Sequence, residues 1–120
     1  MPSDILIVED DVLIADDLEA MLLELRVARV RTAGHVAAAL AMIAERAPDF
    51  ALLNVDLGDD TGFKVADRLD ALQIPYAFVT GYSASVARAG RFSGKPVLGK
   101  PFLREELEAV LRSSPEPAEE

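Results

Sequence analysis

The sequence predicts an α/β fold, one doubly wound sheet of five parallel strands with helices on both faces. Short apolar runs alternate with amphipathic stretches along the whole chain, the order that builds a parallel sheet with crossover helices. Several of these runs are apolar at every position, as strands buried on both faces must be. The length, 120 residues, fits one domain and leaves no room for a second. A chain of this size buries roughly two-thirds of its unfolded surface, enough for a core without covalent staples.

Ile5-Leu6-Ile7-Val8 is the first buried strand, and it stops at Glu9-Asp10-Asp11. A helical pattern runs from Val12 to about Leu25, with Ile14, Leu18, Met21, Leu22 and Leu25 on one face. Val27 and Val30 stand among Arg26, Arg29 and Arg31, a decorated strand that suits a sheet edge, where charge discourages unwanted pairing. His35 to Arg46 is Ala-rich and helical, and Pro48 closes it. Phe50-Ala51-Leu52-Leu53 is the next buried strand, ending in Asn54-Val55-Asp56. Leu57 to Thr61 reads as a loop and Gly62 to Leu72 as a helix. The fourth strand, Tyr76 to Val79, ends at Thr80-Gly81, and a short helix follows from about Ser83 to Ala89. Pro96-Val97-Leu98 is a brief strand whose proline argues for an edge. Phe102 to Arg112 is the last helix. The domain spans residues 1–113, and residues 114–120 read as a disordered acidic tail.

With the second and fifth strands at the edges and right-handed crossovers, the strand order is 2-1-3-4-5, the flavodoxin-like arrangement. Such sheets hold their ligands beyond the carboxyl ends of the strands, at the switch point between strands 1 and 3.

Composition narrows what can happen there. The absence of cysteine removes disulfides, thiolate metal sites and cysteine nucleophiles. A single histidine, His35, excludes a His-rich zinc site and argues against a Ser-His-Asp triad. His35 reads as a surface residue opening the second helix. The formal charge is −9, and only three of the 21 acids lie in the tail, so the folded part is acidic too. That sign opposes phosphate-backbone binding, so nucleic acid is not expected as a direct partner. No apolar stretch reaches membrane-spanning length and no leader opens the chain, which points to a soluble cytoplasmic domain.

Polar residues stand directly after the apolar runs: Glu9 and Asp10, Asn54 and Asp56, Thr80, and Lys100 before Pro101. The fold would gather them on one rim. Hard oxygen donors, completed by water, are what Mg²⁺ requires. A hydroxyl and an ammonium opposite would hold phosphoryl oxygens. Asp11 is better read as an N-cap of the first helix.

With Glu9-Asp10, the acceptor segment, Thr80-Gly81 and Lys100-Pro101-Phe102, the sequence resembles the receiver domain of two-component response regulators over about residues 4–112. The resemblance implies that Glu9, Asp10 and the Asp56 carbonyl bind Mg²⁺. It also implies that Thr80 and Lys100 serve the phosphoryl group, and that phosphate comes from a histidine kinase or phosphotransfer protein. Receivers carry an apolar residue three places after the phosphorylated Asp and Gly eight places after it. Leu57 and Gly62 fit that spacing only with the acceptor at position 54, where this chain has Asn54. An amide cannot form an acyl phosphate, so the chain as it stands is non-phosphorylatable there. Three readings stand: a natural degenerate receiver that signals by binding, an introduced Asp-to-Asn change, or Asp56 as acceptor, since an extended strand puts 54 and 56 on one face.

Phe78-Val79-Thr80-Gly81-Tyr82-Ser83 resembles the FAT GUY signature of regulators paired with HWE or HisKA2-type kinases, found in alphaproteobacterial stress signalling. Val79 replaces the signature's alanine. Val97 stands where many receivers carry a switching aromatic, which leaves Tyr82 as the nearby switch candidate or a packing residue. Arg88, Arg91, Lys95 and Arg104 form either a solvated face or a partner surface on the fourth helix, fifth strand and fifth helix. The expected role is signal transduction rather than catalysis. A phosphatase or phosphotransferase on this fold would need a nucleophile of its own. A flavin carrier would need a phosphate-cradling loop where this chain has acids.

Overall fold

The computed structural model describes residues 2–57, 60–80, 96–99 and 103–113. Strands β1 (Asp4–Val8), β2 (Arg29–Ala33), β3 (Phe50–Asn54), β6 (Tyr76–Thr80) and β7 (Val97–Gly99) form one sheet in the order β2-β1-β3-β6-β7. Every pairing in it is parallel. With the sheet's own strands counted in chain order this is 2-1-3-4-5, with the Arg-marked and Pro-marked strands at the edges as predicted. Four helices are described: α1 (Val12–Glu24), α2 (Val36–Glu45), α3 (Phe63–Ala71) and α4 (Arg104–Arg112). The helix predicted for residues 83–89 lies outside the described residues. So do Gly81, Tyr82, Arg88, Arg91, Lys95, Lys100, Pro101, Phe102 and the tail 114–120.

Strand pleating divides the core by sequence parity. Leu6, Val8, Ala51, Leu53, Tyr76 and Phe78 face α2 and α3, packing on Val36, Ala39, Ile43, Val65 and Leu69. Ile5, Ile7, Phe50, Leu52, Ala77 and Val79 face the other way, onto Leu18 and Leu22 of α1 and Leu107 and Leu111 of α4. This explains the unbroken apolar runs, because both faces of each central strand are covered.

Two local readings change. Residues expected as a loop after β3 include a small antiparallel hairpin, β4 (Asp56–Leu57) with β5 (Asp60–Thr61). Strands of two residues carry no readable periodicity. Helix ends also shift inward. Asp11, His35 and Leu103 are N-caps, while Leu25, Arg46 and Leu72 are C-caps. The His35 ring accepts from the Ala38 N–H at 3.2 Å, so its role is the helix-opening one. After α1 and α3 the chain turns through Arg26 (φ 71°) and Gln73 (φ 59°). Val27 N–H donates to the Leu22 carbonyl and Ile74 N–H to that of Leu69, the paired closure that usually uses glycine at the left-handed position.

Arg31 of β2 is more than an edge charge. Arg31 donates to both carboxylate oxygens of Asp4 and to the Met42 and Arg46 carbonyls, and Arg46 also pairs with Asp4 at 2.9 Å. Asp49 accepts from the Ser3 hydroxyl and from the Ser3 and Asp4 N–H groups. This knot ties β1, β2 and α2 together at the amino end of the sheet.

Candidate functional site

At the opposite, carboxyl end, β1 and β3 lie side by side in register up to Val8 and Leu53. The next residues of each strand face one another across the switch point. Glu9 is held there by its backbone, whose N–H donates to the Ala33 carbonyl at the end of β2. The chain then turns sharply so that Asp11 can cap α1, its Oδ1 accepting from Leu13 N–H at 3.0 Å and Ile14 N–H at 3.4 Å. The expected capping role of Asp11 is thus the observed one. The turn folds Glu9 back, and its Oε2 accepts from the Asp11 N–H at 3.2 Å.

Asn54 closes β3 and meets both acids. Its Nδ2 donates to Glu9 Oε2 at 3.0 Å and to Asp10 Oδ1 at 3.2 Å. Glu9 and Asn54 are 4% and 7% exposed, whereas Asp10 is open to solvent. The pocket therefore has a dry floor and a wet lip.

Gly62 sets how the chain leaves β3. Its N–H donates to the Val55 carbonyl at 2.8 Å, closing the segment that holds the β4–β5 hairpin. A Cβ placed on Gly62 would collide with the Asn54 carbonyl oxygen. Only a residue without a side chain lets the backbone pass so close to position 54. Sequence spacing alone marks Gly62 without revealing this contact.

Val55 sits between β3 and β4, and Asp56 opens the hairpin rather than extending β3. The continuous strand that would put residues 54 and 56 on one face is therefore broken, because the backbone turns at Val55 to bond with Gly62. Thr80 ends β6 one step past Val79, the partner of Asn54, and pairs with Gly99 of β7. That places Thr80 and the residue just before Lys100 on the same rim as Asn54. Lys100 and Tyr82 lie outside the described residues. Val97 pairs with Phe78, half-buried against the α2–α3 core and two residues short of that rim.

Two carboxylates and an amide are hard donors of the type divalent magnesium prefers. Among the described residues, no three His, Cys, Asp or Glu side chains converge as a metal group. The oxygen-bearing side chains gathered at this end are those of Glu9, Asp10 and Asn54. Also among the described residues, no helix is long and apolar enough to cross a membrane.

A parallel sheet of order 2-1-3-4-5, with acids after its first strand meeting the end of its third, is the architecture of a receiver. The model of the response regulator receiver domain family matches residues 5–112, and the chain belongs to that family. Its structure is similar to that of SdrG from Sphingomonas melonis Fr1, with 40% identity, a TM-score of 0.80 and coverage of 92% of this chain and 93% of that one. The receiver domain of the Erythrobacter litoralis response regulator PhyR is 25% identical, with a TM-score of 0.83 over 97% and 96% of the two chains. The sensory transduction protein LytT of Enterococcus faecalis is 30% identical over 113 residues, 92% of this chain and 47% of that protein. The chain thus spans about half the length of that curated relative. As a family, receiver domains are signalling modules that meet histidine kinases or phosphotransfer proteins.

Proposed function

We propose that this chain is a cytoplasmic receiver, folded over residues 1–113, that works as a protein-interaction module and does not accept phosphate at position 54. Glu9, Asp10 and the backbone carbonyl of Asp56 would hold Mg²⁺, which when bound supplies positive charge to an incoming phosphoryl group. Thr80 and Lys100 would contact that group. The observation that carries this reading is Asn54 itself, at the end of β3 and within hydrogen-bond distance of both acids. An aspartate in this seat would present its carboxylate to a cation held by Glu9 and Asp10. An amide presents no nucleophilic oxygen of comparable strength and forms no acyl phosphate.

The partners proposed are a histidine kinase of the HWE or HisKA2 type, or a phosphotransfer protein, and a downstream protein. The downstream protein would bind through the fourth helix, fifth strand and fifth helix of the predicted order, with Tyr82 or Val97 as switch positions. The subgroup rests on Phe78-Val79-Thr80-Gly81-Tyr82-Ser83, whose first three residues end β6.

Incubating the protein and its Asn54→Asp variant with acetyl phosphate and Mg²⁺, then mapping adducts by mass spectrometry, tests the proposal. The variant should carry one phosphoryl group at position 54 and the unchanged protein none. A phosphoryl group on Asp56 of the unchanged protein would overturn it.

A further inference from the structure

Ala15, Leu18 and Leu22 of α1 are buried against the sheet, as the inner side of an amphipathic helix must be. The outer side is expected to be polar. Instead, Val12, Leu13 and Leu23 are 70%, 76% and 52% exposed, and Ala20 is exposed with them. A single exposed leucine is ordinary on a protein surface. Here three of the five large apolar side chains exposed among the described residues stand on one helix. Leu13, Asp16, Ala20 and Leu23 follow at intervals of three, four and three residues, the spacing along which one helix packs on another.

Charge decides what can cover this face. From Val12 to Glu24 the helix carries Asp16, Asp17, Glu19 and Glu24 and no base, and Asp10 and Asp11 precede it. Asp16 and Asp17 are exposed and pair with no cation among the described residues. Glu24 already shows the complement, accepting from Arg104 of α4 at 2.7 Å. A second copy of this chain would bring the same acids against these, and like charges oppose that pairing. We infer that the outer face of α1 is a docking surface for a basic amphipathic helix of a partner protein. Apolar side chains of that helix cover Leu13, Ala20 and Leu23, and its lysines or arginines stand against Asp16 and Asp17. The leucines supply the buried contact, and the acids select the partner's charge. This goes beyond the reading above, since the face needs neither phosphate nor Mg²⁺ and α1 is no part of the surface proposed for the downstream protein.

The test is a titration of the ¹⁵N-labelled full chain, followed by ¹H–¹⁵N NMR, with a designed helical peptide. The peptide has leucines spaced three and four apart with lysines flanking them, and its twin has glutamates in place of the lysines. The lysine peptide should move the amide signals of residues 13–23 first, and the glutamate peptide should leave them in place. Leu13→Ser combined with Leu23→Ser should melt with the unchanged protein, because both side chains are exposed, and should weaken lysine-peptide binding about tenfold. Asp16→Lys combined with Asp17→Lys should reverse the preference, so that the glutamate peptide binds better. A loss of folding cannot imitate that reversal.

Failure of the lysine peptide to bind at millimolar concentration would overturn the inference. So would shifts that begin at Glu9 and Asp10, because the peptide would then be drawn to the acidic end of the sheet and not to α1. Equal affinity for the leucine variant and the unchanged protein would reduce the face to a charged surface. Signals of residues 13–23 that move with protein concentration alone would assign the face to a second copy of the chain.

Discussion

The two ends of the sheet each bury a carboxylate, and they surround it differently. Asp4, at the amino end, is 5% exposed and is gripped by the guanidiniums of Arg31 and Arg46. Glu9, at the carboxyl end, is 4% exposed, and the groups it accepts from include the Asp11 N–H and the Asn54 amide. Full charge compensation at the first end makes a clamp. At the second, Glu9 shares the Asn54 amide with the solvent-exposed Asp10, so two carboxylates stand together at one rim. One four-residue apolar run, Ile5 to Val8, separates the clamped Asp4 from Glu9 at the candidate site.

Mutations at the two ends should part accordingly. Asp4→Asn should show the largest loss of stability, about 2–3 kcal/mol in urea unfolding. The value sits low for a buried pair because Arg46 is 59% exposed and can turn to water. That variant should leave Mg²⁺ binding unchanged, and a change in both together would erase the division between the ends. Gly62→Ala should cost about 2 kcal/mol, because its new methyl drives into the Asn54 carbonyl and the backbone must move. Unlike Asp4→Asn, it should also shift the NMR signals of Asn54 and Glu9.

Asn54→Asp should cost about 1–2 kcal/mol in EDTA, through lost amide bonds and a third carboxylate beside two others. Saturating Mg²⁺ should recover part of that loss by linkage. Equal melting temperatures for the two proteins in EDTA would contradict the picture of a charge-strained end. Arg104→Ala, which removes the exposed bridge from α4 to Glu24 of α1, should change stability by about 0.5 kcal/mol or less in the same unfolding assay. It serves as the baseline against which the end effects are judged.

What was legible in the sequence follows the same geography. The strand order could be read because unbroken apolar runs mark central strands and the arginines and Pro96 mark edges. The acids at 9 and 10 could be read because polar residues directly after a buried strand must emerge at its carboxyl end. The Asp4 clamp could not, since its partners Arg31 and Arg46 lie 27 and 42 residues away and Arg31 looks like an ordinary edge charge. The ends of α1 and α3 were blurred because Arg26 and Gln73 occupy left-handed positions with no glycine to announce them. Spacing picked out position 54, but the bridge from its nitrogen to both acids spans strands 44 and 45 residues apart in sequence, beyond any local pattern.

Manganese(II) is accepted by the same oxygen donors as magnesium and broadens nearby NMR signals. Adding trace Mn²⁺ to the ¹⁵N-labelled Asn54→Asp protein should broaden Glu9, Asp10 and position 54 first, while Asp4, Arg31 and Arg46 stay sharp. Broadening that begins at the amino end, or spreads evenly over the acidic surface, would contradict a cation pocket built by Glu9, Asp10 and the residue that closes β3.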